Sequence, residues 1–226
     1  MKIARLAGLM LIAIFAMSLV AASAAMAEPE FAQTGATISG TSGAGVLSAN
    51  NGTEKVECAS DVSGGTVTSS TLVGNIVVHF LNCTSTGTGG SKCAVNSTGA
   101  ASGLILTTTL HGILGLILPK PSSGTGVALL LLPISGKRFV TLASNTCTPE
   151  TAVTGDVAGE VTPVKSKQTT GKLIFKAVHP GSAKQAIEEF DPSTGGKVKP
   201  ELVAFTTTAS EETEEAVTFS SATEVT

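Results

Sequence analysis

From residue 54 onward the chain is a succession of short apolar or alternating stretches, punctuated by Gly, Pro, Ser and Thr. "EKVECAS" alternates Val56 and Cys58 against Lys55 and Glu57, the period-2 pattern of a half-buried strand. "GGTVTSS" opens another strand, and "LVGNIVVHFLNC" is a longer one with both faces mostly apolar. The centre of the chain is its most apolar part: "GLILTTTLHGILGLILP" and "GVALLLLPISGKRFVTLAS". Periodicity does not separate strand from buried helix in such runs, so length and flanks decide. The runs are short and bounded by "PKPSSGTG" and "ISGK". A helix over Leu110 to Leu118 would carry Gly112 and Gly115 in its interior, each costing about 1 kcal/mol against Ala. Strands are therefore predicted, with "PKPSSGTG" joining two neighbours as a hairpin.

Further on, "AVTGDVAGEVTPV" and "KLIFKAV" read as strands, while "SAKQAIEEF" fits either a helical turn or two or an extended edge. "ELVAFTTT" and "EAVTFSSATEV" predict a closing hairpin around the acidic stretch Glu211 to Glu215, expected as a solvated turn. Residues 28–52 are small, polar and Gly-rich, with one possible strand around Ala36 to Ser39, and are expected to form a flexible arm. The fold class is all-β: an antiparallel sandwich or barrel of about ten short strands, a single domain over 53–226.

The first 27 residues change the chemical setting. Lys2 and Arg5 precede an apolar run from about Leu6 to Val20, and small residues end in Ala25-Met26-Ala27. This is the pattern of a cleaved secretory signal peptide, so the protein is expected to be secreted, extracellular or in the cell envelope. The apolar run is short for a bilayer span of about 20 residues, and no transmembrane anchor is expected in the mature chain. The formal charge of −3 becomes about −5 without Lys2 and Arg5. That mild balance leaves no footprint for nucleic acid. Ser, Thr and Gly supply most of the polarity, charged residues make up only 14%, and Trp and Tyr are absent.

Export places Cys58, Cys83, Cys93 and Cys147 in an oxidising space, where an even count favours disulfides. Zinc binding wants close ligand pairs, and thiol redox chemistry wants Cys-x-x-Cys; neither spacing is present. Cys83 ends a long strand, and Cys93 follows a Ser/Thr/Gly loop that is able to turn back. The expected pairing is Cys83–Cys93 with Cys58–Cys147.

The segments "KVEC", "VVHFLNC", "KCAVNSTGAASGLILTTTLHGILGLI" and "VTGDVAGEVTPV" carry a resemblance. They are similar to a group of small secreted proteins from soil actinobacteria. That group has a Cys-ending strand, a Cys-x-Ser-x-Gly-like step and two Gly-broken apolar strands. The likeness runs over about residues 50 to 225, with Asn96 near the place where the group tends to have Ser. It implies export and an all-β fold and supplies no activity.

Candidate chemistry is sparse. "GTSGAG" at Gly40 to Gly45 approaches a Gly-x-Ser-x-Gly nucleophile elbow but has Ala44 in the last position, and reads as linker. His79 and His111 lie in apolar strands and read as satisfied core histidines, and His179 before Pro180 reads as a loop residue. Glu188 and Glu189 are adjacent, so on a strand they point to opposite faces and do not flank one bond. No catalytic, cofactor or metal residue is nominated. The expectation is a non-enzymatic extracellular structural or ligand-binding β-domain. A membrane-inserting hairpin or pore and a small secreted hydrolase are the alternatives.

Overall fold

A computed structural model describes residues 27–86, 91–143, 149–192 and 195–226. The signal peptide expected over 1–27 lies almost wholly outside the described residues. The protein is all-β and antiparallel. Its strands are β1 Thr37–Ser42, β2 Gly45–Ala49, β3 Glu54–Cys58, β4 Ser60–Val67, β5 Leu72–Leu81 and β6 Thr84–Thr86. Next come β7 Lys92–Ala94, β8 Ile105–Leu106, β9 Leu110–Leu118, β10 Val127–Pro133, β11 Arg138–Leu142 and β12 Thr151–Gly155. The last are β13 Val157–Thr162, β14 Gln168–Phe175, β15 Glu189–Pro192, β16 Leu202–Ala204 and β17 Thr207–Thr223. Among the described residues about ten expected strands become seventeen, because several long strands break at a residue or two and continue in a second sheet.

The first sheet closes on itself. Pairing runs β1–β4–β5–β9–β10–β13–β14–β17 and returns from β17 to β1. This ring of antiparallel strands resolves the choice between sandwich and barrel in favour of a barrel, and closure removes the exposed edges of an open sheet. The second sheet runs β11–β12–β16–β17–β2–β3–β6–β7. Its ends meet through the bridge Ser97↔Leu142 and the bonds Thr98 N→Thr141 O and Ala143 N→Asn96 O. The two rings are stacked tiers, and β17 runs through both. Residues 209–212 pair with β2 in the second tier, and residues 215–219 pair with β1 in the first.

The apolar centre follows from this arrangement. β9 and β10 pair as the predicted hairpin. On β10, Val127, Leu129 and Leu131 belong to the main core inside the barrel. Ala128 and Leu130 belong to a smaller cluster on its outside, completed by Ala158 and Phe190. The segment leading into β15 lies over that outer face, and Phe190 is fully buried there. Both faces of β10 are covered, so its sequence is continuously apolar rather than alternating. Gly115 permits the close approach, because a Cβ there would collide with the Phe190 ring and the Asp191 carbonyl. "SAKQAIEEF" forms no helical turn: bends and a bridge at Gln185 lead into β15.

Two expectations fail. The supposed flexible arm at 28–52 contains β1 and β2, which are walls of the two tiers rather than a linker. Its small residues suit a strand packed closely between neighbours, which composition alone does not distinguish from a loop. The disulfide pairing is also different: Cys58 bonds Cys83, excluding both expected bridges. The register dictates this. Val56 lies opposite Ser85, Glu57 opposite Thr84 and Ser60 opposite Leu81, so the same alignment sets Cys58 against Cys83. Cys93 also carries a disulfide, and Cys147 lies outside the described residues.

Candidate functional site

The barrel interior is not uniformly apolar. On β1, Ile38, Gly40 and Ser42 turn inward. Ser42 stands opposite Asp61 of β4 on one side and Glu215 of β17 on the other. Directly paired residues of antiparallel strands share a face, so this row brings a hydroxyl and two carboxyls into the lumen. One pair further along, Gly40 lies between Ser63 and Val217. Period 2 along β17 adds Thr213 and Glu211 to the same inner face.

Hydrogen bonding within this wall is incomplete. Ser42 Oγ donates to Asp61 Oδ2, and Ser63 Oγ donates to Glu215 Oε1. Gly40 makes room for the second bond, since a Cβ there would run into both Glu215 Oε1 and Ser63 Oγ. Asp61 is 3% exposed, yet its Oδ1 has no hydrogen-bond partner; the buried Thr213 Oγ1 has none either. A buried polar atom left unmatched costs on the order of 1–3 kcal/mol, so this wall is held against its own solvation preference.

The carboxyls register that environment. Burial pushes Glu211 up to about 8, with Asp61 and Glu212 adding like-charge repulsion. Burial pushes Glu215 up to about 7, against the opposing effect of the Ser63 bond. Asp61 is raised by burial and partly restored by Ser42. Glu211 keeps some accessible surface, part of it facing the cavity it lines, but the desolvation of its carboxyl dominates. The wall is thus a set of acids that shed their protons reluctantly, able to donate hydrogen bonds when neutral and to accept them when ionised.

Opposite this wall is empty space. A cavity of about 110 Å³ is bounded by Asp61, Thr213, Glu211 and Glu215 on one side. Val78, Phe80, Leu110, Phe139, Val140 and Val157 are among the apolar side chains facing them. A second cavity of about 80 Å³ adjoins it, sharing Val78, Leu131 and Glu215, and extends to the half-buried Ser166 and the exposed Gln168. Among the described residues no lysine, arginine or histidine lines the first cavity.

The residues singled out from sequence fall elsewhere. His79 is exposed on the outer face of β5, not a core histidine. His111 is half-buried on β9, and burial lowers its pKa. His179 is exposed in a loop, as expected. Glu188 and Glu189 pair separately with Lys184 and Lys197. "GTSGAG" spans β1 and β2, and its Ser42 braces Asp61 instead of sitting on a strand-to-helix turn. Among the described residues no group of three His, Cys, Asp or Glu side chains is arranged to hold a metal ion. No helix among them is long and apolar enough to cross a membrane.

Comparisons with protein-family models, curated proteins and solved structures return no match. The site therefore stands on its own geometry.

The acidic stretch is where sequence reasoning missed the site. "SEETEEAV" alternates in function though not in polarity: Glu211, Thr213 and Glu215 face in, while Glu212 and Glu214 face out. Glu212 accepts from the Gly181 N–H at 2.8 Å, and Glu214 pairs with Lys172 at 2.5 Å. The available signal was the β-branched, alternating flank on both sides of the glutamates, which fits one continuous strand as well as a hairpin.

Proposed function

We propose that this protein is a non-enzymatic, exported β-barrel that binds a small, largely apolar molecule in its lumen. The observation that carries the reading is the 110 Å³ cavity, apolar on every side but one. An engineered apolar cavity of comparable size, about 150 Å³, is known to bind benzene, so the space suits one ring or a short alkyl chain. The adjoining cavity, which reaches exposed residues beside β14, gives such a guest a direction of approach. A leader with a signal-peptide pattern and a disulfide at Cys58–Cys83 support export to an oxidising space.

The same features weigh against the alternatives. The outer face of β10 is covered by Phe190 and Ile187, which accounts for its apolar run without a membrane. The carboxyls lie in an enclosure too small for a saccharide, with no histidine at hand, which leaves hydrolysis without a substrate-sized cleft.

Benzene should bind the folded protein saturably, read from the valine and leucine methyl NMR signals that line the cavity, and should be displaced by a short alcohol. Val157→Phe and Val153→Phe, which fill the cavity from two strands, should each weaken it at least tenfold. Binding that survives both substitutions, or no saturable binding by wild type, would reject an internal site.

A further inference from the structure

We propose that the lumen selects a small primary amine, its ammonium group held by Asp61 Oδ1, Thr213 Oγ1 and the Glu211 carboxylate while its hydrocarbon chain lies along the opposite apolar wall. This deepens the binding function proposed above and rests on it.

Three independent features of the cavity converge on that guest. The first is charge. Asp61, Glu211 and Glu215 come from two strands, β4 and β17, and face one cavity that no cationic side chain among the described residues lines. Lys172, which lines only the adjoining cavity, pairs with the outward Glu214. Buried carboxylates are ordinarily matched by a cation or a set of donors, and here the protein supplies only the hydroxyls of Ser42 and Ser63.

The second is the pattern of open acceptors. Asp61 Oδ1 and Thr213 Oγ1 are buried and unpartnered. The Glu211 carboxyl has no hydrogen bond or ion pair to another described residue. An alkylammonium group carries three donors and no acceptor, which answers three acceptors on one wall. A neutral alcohol brings a single donor, and a carboxylate guest would add a fourth negative charge.

The third is the remainder of the cavity. A hard divalent cation wants six or more oxygen ligands closely converging, and these side chains do not form such a group. Beyond the acidic wall the lining is hydrocarbon: Val78, Phe80, Leu110, Phe139, Val140 and Val157. A guest with a cationic head and a tail of about four carbons satisfies both halves. Ionisation then couples to binding. The amine, like a lysine side chain, keeps its proton to about pH 10. The carboxyls of the empty lumen hold theirs to about 7 and 8, so docking an ammonium displaces protons from the wall.

The test uses the full disulfide-bonded protein and three isosteric probes: n-butylamine, n-butanol and butyrate. Valine and leucine methyl NMR signals would be followed at pH 8. Butylamine should bind at least tenfold more tightly than butanol, and butyrate should not bind. Butylamine affinity should fall about tenfold per pH unit between pH 7 and pH 5 as protons compete, while butanol affinity stays level. Asp61→Asn combined with Glu211→Gln should weaken butylamine at least tenfold and abolish its advantage over butanol. Equal affinities for amine and alcohol, or an amine affinity indifferent to pH, would overturn amine selection while leaving the apolar site standing. Failure of all three probes together with benzene would reject the binding function itself. Should the double variant not fold, the wild-type ratio and its pH slope decide alone.

Discussion

β10 and β17 are both central strands of the same barrel, yet one reads "VALLLLP" and the other "TTASEETEEAVTFSSAT". In β10 both faces are buried in hydrocarbon, one against the lumen and one beneath Phe190. In β17 the outer face is solvated and the inner face carries acids into an enclosure. Burial stabilises the first strand, at about 1.5–3 kcal/mol for each fully buried Leu or Val side chain. The same burial opposes the second, because a carboxyl loses its water without gaining a cation. The fold holds one wall by packing and tolerates the other, which is the usual sign of a wall retained for something besides stability.

The largest consequence is in pH. An unfolded Glu titrates near 4.5, while Glu215 and Glu211 in the folded barrel titrate near 7 and 8. Between those limits the folded protein binds more protons than the unfolded chain, so stability falls as pH rises. Each group contributes up to about 1.4 kcal/mol per pH unit inside its window, and the term vanishes below about 4.5 and levels off above 8. The raised Asp61 adds in the same direction. His111, half-buried with a lowered pKa, opposes it below about 6.5. Urea melts at pH 5.5 and pH 8 should differ by roughly 4 kcal/mol, with the lower pH more stable. Glu211→Gln should flatten that profile above pH 7. A barrel equally stable at both values would mean the inner carboxyls are hydrated after all.

The packed wall has its own test. Phe190→Ala removes the lid of the outer cluster and should cost about 3–5 kcal/mol, and Leu130→Ala beneath it about 2–5. Neither should alter the pH profile, since neither residue meets the lumen. A change below about 0.5 kcal/mol in either would place the apolar run somewhere other than a core.

How much of this was legible follows the same division. β10 was readable because a short, continuous apolar run bounded by Gly and Pro fits a strand buried on both faces and little else in an all-β chain. The β9–β10 hairpin was readable for the same reason. β17 was not, because a carboxylate in sequence carries no mark of which face it takes, and solvation is the ordinary outcome. β1 and β2 failed on similar grounds: Gly40 and Ser42 look like linker until Glu215 and Asp61 are seen beside them. The disulfide was nearly within reach. A hairpin centred on Ser70 aligns Cys58 with Asn82, one residue from Cys83, but only if β3–β4 and β5–β6 are each taken as one broken strand.

A smaller effect isolates the fit of the acidic wall. Gly40→Ala places a methyl against Glu215 Oε1 and Ser63 Oγ, and should cost about 1–3 kcal/mol as overpacking. In a Glu215→Ala background only Ser63 Oγ still crowds the methyl, and the cost should fall. The double-mutant cycle therefore measures coupling across the β1–β17 pair directly. An equal cost in both backgrounds would place the strain at Ser63 or the backbone and away from the carboxyl.

The smallest prediction compares two neighbours on one strand. Glu214 and Glu215 differ by a single position, and period 2 sends them to opposite faces. Glu214 meets Lys172 at 2.5 Å with both side chains 54% exposed. An exposed ion pair is screened by water and is generally worth about 0–1 kcal/mol. Glu214→Gln should therefore change stability by less than about 0.5 kcal/mol at any pH, and the change should shrink further in high salt. Glu215→Gln keeps the shape but removes the titration, so at pH 8 it should stabilise by about 1–3 kcal/mol and at pH 4 do almost nothing. Chemical melts of the two variants at both pH values make the comparison. A pH-dependent gain at 214 and none at 215 would reverse the assignment of inner and outer faces, and with it the acidic wall.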